Sequence, residues 1–259
     1  MRILAEGGIP FPPSVEDFYL PALVEGAYPW LTKYTLLVWV AVAGLIIFFL
    51  WAYRNPQLVP TKRQWIAESI YGFTRDGIAK DMIGHEGVRF APYLTTLFCF
   101  ILLTNLFGLI PFIQVSPNSH IAFPIVLAVI SYVMFIWVGM RKHGAGKFFK
   151  NALIPPAPWF VLPLLIPIEF FSTFIVRPVT LALRLFANMF AGHMILLVFT
   201  LGGFALLGAN SIAVKSVSVL SWGMAIALYF LEIIVALLQA YVFVVLTASY
   251  VQGALADEH

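Results

Sequence analysis

Long apolar stretches separated by short polar connections organise this chain. About 20 consecutive apolar residues span the hydrocarbon core of a bilayer, so the pattern predicts membrane helices. We expect spans at residues 31–53, 92–111 and 121–140, followed by two longer apolar segments at 161–207 and 212–251. Both long segments exceed an upright span. They predict steeply tilted helices or, in the first of them, a short helix that re-enters the membrane before the main one.

Residues 62–83 have a helical pattern but are too polar to span a membrane. Apolar Trp65 and Ile70 alternate with charged Glu68 and Arg75 along this segment. An amphipathic helix lying in the membrane interface is the expected structure. The predicted fold class is therefore an all-α polytopic membrane protein, with about five membrane helices and one interfacial amphipathic helix.

The remaining segments are connections within a single membrane domain covering residues 1–259. Residues 1–30 contain no apolar core followed by a small-residue cleavage site, so we expect an uncleaved extracytoplasmic segment. Residues 141–158 are expected to form a cytoplasmic linker. Gly144-Ala-Gly-Lys147 lacks the first glycine and the final Ser or Thr of a phosphate-binding loop, so we predict no nucleotide site.

Composition and charge support a membrane protein and fix its expected orientation. The chain is 61% hydrophobic and 10% charged, with a mean hydropathy of +0.94, which excludes a water-soluble domain. Basic residues gather in segments 54–89 and 141–150, which should be cytoplasmic by the positive-inside rule, with the N-terminus outside and the C-terminus in the cytoplasm. Because they do not form one face, they favour membrane lipids over nucleic acid as partners.

Arg184 lies in the apolar stretch 179–201, where a guanidinium is costly. Insertion scales put a central arginine at about 2.5 to 3.5 kcal/mol, and the group keeps its proton at any physiological pH. A permanent charge at that depth predicts a role in moving ions. Helical spacing places Arg177, Arg184 and Asn188 in one stripe and turns His193 to the opposite side.

The last two segments also carry polar residues at matching depths. If 161–207 and 212–251 form an antiparallel hairpin turning near 208–211, Arg184 lies level with Gln239, and His193 with Glu232, to within about 3 Å. His193 and Glu232 can share or pass a proton, whereas Arg184 cannot relay one. The alternatives are a hydrogen-bonded packing role for the histidine and interhelical hydrogen bonds for the two amides, Asn188 and Gln239.

Three motifs resemble the family of bacterial F-type ATP synthase a subunits, the stator part of a membrane rotary motor. They are Leu183-Arg-Leu-Phe-Ala-Asn-Met-Phe-Ala-Gly192, Asn105-Leu-Phe-Gly-Leu-Ile-Pro111 and the stretch from Glu232 to Gln239-Ala-Tyr-Val-Phe243. The resemblance implies that Arg184 is the essential arginine facing the carboxylate of the rotating c-ring. Some members carry the His193 and Glu232 pair in reversed order, which implies a paired role.

The resemblance also implies a proton path through two offset half-channels. A proton would enter from outside past Asn105, Glu169, His193 and Glu232, neutralise a ring carboxylate, and leave near Arg184 to the cytoplasm. Asn188 and Gln239 would line the adjoining path. The expected set for proton translocation is therefore Arg184, His193, Glu232, Gln239, Asn188, Glu169 and Asn105.

The resemblance further implies a non-catalytic subunit of a bacterial plasma-membrane complex. Expected partners are the c-ring proteolipid oligomer, the peripheral-stalk b subunits and the other ATP synthase subunits, with no cofactor, metal or catalytic residue in this chain. A secondary ion-coupled transporter is the first alternative, although such proteins have two homologous halves and this sequence contains no such repeat. A sodium-translocating version of the same motor is the second.

Overall fold

The computed structural model describes residues 3–4, 10–11, 32–110, 113–153, 161–208 and 211–256, and almost all of them are helical. The longer helices are α1 (Lys33–Ala52), α2 (Lys62–Thr74), α4 (Ala91–Phe107), α5 (Ala122–His143), α6 (Ala145–Leu153), α7 (Leu162–Phe171), α8 (Arg177–Leu207) and α9 (Ile212–Leu255). The short α3 (Asp81–Ile83), two π-helical turns (Arg75–Lys80, Ser172–Val176) and two 3₁₀ turns (His85–Phe90, Pro117–Ser119) join them.

Five of these helical runs are long and apolar enough to cross a membrane. They are Lys33–Ala52, His85–Phe107, Ala122–His143, Leu162–Leu207 and Val214–Leu255. This confirms the all-α polytopic membrane class. The exception is one pair of two-residue antiparallel strands, β1 (Ile3–Leu4) and β2 (Pro10–Phe11), in the expected N-terminal segment. The rest of residues 1–30 lies outside the described part of the chain.

The segment expected to be interfacial forms one helical run. α2, the π-helical turn and α3 follow one another without a break from Lys62 to Ile83. Its faces differ: Gln64 and Ala67 are buried, whereas Trp65 and Glu68 are exposed. The run ends at Gly84, whose φ of +84° is a conformation that glycine adopts without a steric cost.

The long apolar segment 161–207 forms one run of 46 residues, Leu162–Leu207. Of the two alternatives from the sequence, the structure favours the single long helix. Its only irregularity is the π-helical turn Ser172–Val176, which separates α7 from α8. Pro178 has no N–H, and its ring would clash with the carbonyl of Phe174 in a regular helix. The wider turn lies at that carbonyl and lets the run continue.

The expected cytoplasmic linker contains a helix that the sequence reasoning missed. α6 follows α5 directly after Gly144, whose φ is +80°. Phe148 of α6 is buried against Gly139 of α5, where an added Cβ would lie 2.1 Å from the Phe148 ring. Residues 154–158 of the expected linker lie outside the described residues.

The chain forms two compact units, each assembled from three separate stretches. The first unit comprises Met1–Val42, Leu102–His120 and Phe186–Gln239, and the second comprises Ala43–Ile101, Ile121–Leu185 and Ala240–His259. The first has a core cluster of Leu109, Met189 and Ala236. The second has a larger cluster formed by Phe90, Phe135, Val138, Phe148, Val251, Ala254 and Leu255.

Candidate functional site

A histidine and a glutamate form a buried pair in the first unit. His193 of α8 and Glu232 of α9 approach with Nδ1 and Oε1 2.5 Å apart, and their side chains are only 7% and 4% exposed. The predicted contact between them is confirmed. Apart from this contact, no ring nitrogen of His193 and no carboxylate oxygen of Glu232 has a hydrogen-bond partner within the described ranges. Because an isolated buried charge is costly, each of these two ionisable side chains is the polar partner that the other requires.

Two glycines leave the space that the pair occupies. A Cβ at Gly108 would lie 2.2 Å from Nε2 of His193, and a Cβ at Gly192 would lie 3.0 Å from Oε1 of Glu232. No side chain larger than hydrogen fits at Gly108 without moving the imidazole. Neither glycine is among the site residues that the sequence predicts. The signal was present, because Gly108 lies within the Asn105–Pro111 motif and Gly192 directly precedes His193.

Asn105 is fully buried and joins three segments of the first unit. Its Nδ2 donates to the carbonyl of Ala236 on α9 at 3.2 Å, and its Oδ1 accepts from Nδ2 of Asn118 at 2.8 Å. Asn118 also donates to Oγ1 of Thr104 at 2.8 Å. Ala236 is one helical turn beyond Glu232. Asn105 therefore fastens α4 and the 3₁₀ turn Pro117–Ser119 to the part of α9 that carries Glu232.

Asn188 and Gln239 form the second polar contact between α8 and α9. Nδ2 of Asn188 donates to Oε1 of Gln239 at 2.5 Å, and Gln239 is buried. The sequence predicts that Gln239 lies level with Arg184, but the observed partner of Gln239 is Asn188, one helical turn further along α8. In an antiparallel pair, moving the turn by two residues moves the facing residue by four. Locating the turn only within 208–211 therefore could not fix the partner.

Arg184 points outward from α8. Its neighbours Ala182 and Leu185 are buried, whereas Arg184 itself is exposed. Among the described residues it has no hydrogen bond or ion pair. Asn188, four residues later on the same face, is also exposed. The structure therefore presents a permanent cation on a largely apolar helix surface, where a partner molecule can reach it.

Glu169 lies in the second unit, close to Arg177. Its Oε1 is 3.9 Å from Nη2 of Arg177 and accepts a hydrogen bond from Oγ1 of Thr173 at 3.3 Å. Arg177 also lies over the ring of Tyr250, with Cζ 5.9 Å from the centroid. Glu169, Thr173 and Arg177 border a cavity of about 250 Å³ with His143 on its wall. Glu169 therefore belongs to the second unit, whereas Asn105, His193 and Glu232 belong to the first.

A larger cavity in the first unit reaches the histidine of the buried pair. It has a volume of about 680 Å³, and His193 forms part of its wall. Polar groups line an otherwise apolar surface, and Nε1 of Trp222 has no hydrogen-bond partner among the described residues. The lining residues are Gly108, Leu109, Gln114, His193, Leu196, Leu197, Thr200, Phe204, Trp222, Ala225, Ile226, Tyr229 and Phe230. The volume exceeds that of many water molecules.

Comparison with known proteins gives the family. A family model described as "ATP synthase A chain" matches residues 35–252. The chain belongs to the ATP synthase subunit a family. It is 47% identical over 252 residues to ATP synthase subunit a of Pseudarthrobacter chlorophenolicus, covering 96% of this chain and 94% of that protein. It is also 45% identical to the subunit of a Nocardioides strain over 98% of this chain and 96% of that protein.

A third relative, ATP synthase subunit a of a Parafrankia strain, is 51% identical over 86% of this chain and 74% of its own length. Membership of the subunit a family makes this chain part of the membrane sector of a bacterial ATP synthase. Other subunits of that complex are its partners. The buried pair, the exposed arginine and the two cavities are therefore features of a membrane subunit within a larger assembly.

In this subunit, Gly108→Ala is expected to reduce ATP-driven proton pumping several-fold. The new methyl group would overlap Nε2 of His193 and displace the imidazole from Glu232. The measurement is quenching of a pH-sensitive dye in vesicles that contain the assembled complex. The matched control is Gly223→Ala on α9, because a Cβ there meets nothing within 4 Å. Equal pumping by the two variants would contradict the positioning role of Gly108.

Proposed function

We propose that this chain is the proton-conducting stator of the ATP synthase membrane sector. It provides two offset half-channels that meet at the c-ring, with Arg184 between them. The observation that carries the proposal is the buried contact between His193 and Glu232, in which His193 also forms part of the wall of the larger cavity. A titratable pair reached by a cavity is suited to passing protons, and an apolar packing role would not require two ionisable groups there.

The entry path runs through the larger cavity to the buried pair. Water filling the cavity brings a proton to the part of His193 that forms the cavity wall, and the contact with Glu232 passes it on. Asn105 holds the Glu232 region of α9 in place through its hydrogen bond to Ala236. The hydrogen-bonded pair of Asn188 and Gln239 lines the adjoining path to a ring carboxylate. His193 and Glu232 transfer the proton, because an imidazole and a carboxylate can each gain and lose one. The side-chain amides cannot, and they only position water.

Arg184 keeps the two half-channels separate. Its guanidinium repels protons from the direct route and attracts the ionised carboxylate of an arriving ring subunit. Its exposed position on α8 is suited to that contact. A proton that crossed without turning the ring would dissipate about 2.3 kcal/mol for each 100 mV of membrane potential. Because of this barrier, a proton crosses the membrane only by binding to the c-ring and being carried round as the ring rotates.

Glu169 is assigned to the exit path, which changes the order expected from the sequence. Its contacts are to Arg177 and Thr173, and its cavity is bordered by His143 at the end of α5. The basic segment 141–150 adjoins this end of α5 and is expected to face the cytoplasm. A carboxylate there accepts protons leaving the ring for the cytoplasm.

The proposed orientation has the N-terminus outside and the C-terminus in the cytoplasm of a bacterial cell. In that orientation the specific partners are the c-ring proteolipid oligomer and the b subunits of the peripheral stalk, and the ATP chemistry takes place in other subunits. The family match over residues 35–252 favours this motor over a secondary ion-coupled transporter. A sodium-translocating motor would differ mainly at the ion site of the ring.

Thiol labelling tests the entry path and its side of the membrane. In a Cys99→Ser background, Thr200→Cys should react with a charged, membrane-impermeant thiol reagent added from outside, because Thr200 lines the larger cavity. The control is Leu220→Cys on α9, which is exposed but does not line that cavity. A thiol in lipid stays protonated and unreactive. Equal labelling of both variants, or labelling of Thr200→Cys only from the cytoplasmic side, would contradict this path.

A further inference from the structure

A groove in the second unit combines three cations with an apolar wall. It has a volume of about 570 Å³ and lies where the 3₁₀ turn His85–Phe90, just before α4, packs against the end of α5. The charged residues on its wall are Glu86, Arg89, Arg141 and Lys142, and the apolar ones are Phe90, Met134, Trp137 and Val138. Three cations and one carboxylate leave an excess of two positive charges. Neither the proton path nor the family match assigns a role to this groove.

The cations are held in place by their surroundings. The guanidinium of Arg141 lies over the Trp137 ring, 5.1 Å from its centroid, and that of Arg89 lies 4.8 Å from the centroid of Phe90. Nζ of Lys142 donates to the carbonyl of Leu255 at 2.6 Å, which fixes its ammonium at the end of α9. Arg89 also contacts Glu86 at 3.4 Å, but both of these side chains are more than half exposed. A guanidinium stacked on a ring still directs its N–H donors outward in its own plane, where they can bind an anion, although Nη2 of Arg89 already donates to Glu86.

An apolar track leads away from the cations along α5. Trp137, Val133, Ile130 and Val126 follow at helical spacing, and each is between 47% and 58% exposed. α5 is one of the helices long enough to cross the membrane, so this track lies at the depth of lipid chains while the cations lie near its end. Trp137 stands between the two, the position that tryptophan favours at a membrane interface.

We propose that this groove binds one anionic phospholipid from the adjoining leaflet. Its phosphate is held by Arg89, Arg141 and Lys142, and an acyl chain lies along the Trp137 to Val126 track. Charge complementarity selects an anionic headgroup, because a zwitterionic lipid would not offset the positive excess. The bidentate geometry of guanidinium suits a phosphodiester, and the apolar track distinguishes a lipid from a soluble phosphate.

The test measures which lipids stay bound to the intact membrane complex. The complex is reconstituted in nanodiscs with equal amounts of phosphatidylglycerol and phosphatidylcholine, released, and analysed for bound lipid by native mass spectrometry. The wild type should retain phosphatidylglycerol preferentially. In the double variant Arg89→Gln and Arg141→Gln, the ratio of bound phosphatidylglycerol to bound phosphatidylcholine should fall about fivefold for each cation removed. The double variant Arg89→Lys and Arg141→Lys should retain most of it, because the charge remains.

A matched control separates this groove from general surface charge. Arg63 lies over the Trp51 ring at 5.1 Å, the same arrangement as Arg141 over Trp137, but outside the groove. Arg63→Gln should leave the lipid preference unchanged. Should the double glutamine variant fail to assemble, Arg141→Gln alone replaces it, with a loss of about fivefold expected.

Three results would overturn the proposal. The first is an equal preference in the glutamine variant and the wild type, and the second is an equal loss in Arg63→Gln. The third is displacement of the lipid by excess glycerol phosphate, which carries the headgroup chemistry without the chains. Photocrosslinking from position 137 adds an independent readout. A crosslink to lipid supports the proposal, and a crosslink only to another subunit contradicts it.

Discussion

Replacement of Arg184 by alanine is expected to abolish ATP synthesis by the reconstituted complex, and replacement by lysine should lower it by more than an order of magnitude. Alanine removes the cation that separates the half-channels. Lysine keeps a cation but loses the planar fork of five donors that engages a carboxylate. Its ammonium can also lose its proton in a poorly solvated site. Shape and permanent charge are both required, so neither variant should function normally.

The measurement is ATP synthesis in vesicles energised by a proton gradient and a membrane potential. Leu183→Ala is the matched control, because Leu183 is the preceding residue of α8 and is also exposed. It removes a comparable side chain without changing charge, and we expect nearly normal synthesis. Assembly of the complex is checked for every variant. A lysine variant that retained most of the synthesis rate would contradict the requirement for a guanidinium.

Reversing the buried pair is expected to restore part of the function that each single change removes. His193→Glu places two carboxylates in contact, and Glu232→His places two imidazoles in contact, so either change should strongly impair proton pumping. The double variant again places a histidine beside a glutamate at the same contact. We expect an interaction free energy of about 0.5 to 3 kcal/mol, the range for residues in direct contact.

The measurement is a double-mutant cycle on pumping rates. A control cycle combines His193→Glu with Lys215→Gln, because Lys215 lies on α9 with Glu232 but is exposed. The control changes should be additive. If the His193 and Glu232 changes were equally additive, the 2.5 Å contact would have no part in proton transfer.

The helices and the buried pair could be predicted from the sequence because periodicity and length carry that information. α9 begins at Ile212, where the pattern places the start of the last segment, and α8 ends at Leu207, beside the expected turn. In an antiparallel hairpin, residues that are equally far from the turn lie at the same depth, and His193 and Glu232 are such a pair. The contact follows from helical rise, without any detail of packing.

Other features of the site depend on packing that no local pattern records. The partner of Gln239 depends on where the hairpin turns to within two residues. Gly108 lies within the Asn105–Pro111 motif, but the motif does not show that the absent side chain leaves room for the imidazole of His193 on another helix. α6 is only nine residues long, which is too short for its periodicity to distinguish a helix from a linker. The buried side chain of Phe148 stabilises it, and that burial depends on packing. The sequence places Glu169 on the entry path, and the proposal of an exit path for it depends on its contact with Arg177, which no sequence pattern records.

The passive proton leak of the Arg184→Ala complex tests the central claim most directly. Vesicles containing the membrane sector are given a potassium diffusion potential, and proton entry is followed with an internal pH dye. The account predicts a faster leak through Arg184→Ala than through the wild type, because the two half-channels are then no longer separated by a cation. The leak should stop when His193→Leu is added, since that change closes the entry path. A complex with Arg184→Ala that synthesises ATP and remains as proton-tight as the wild type would contradict the account.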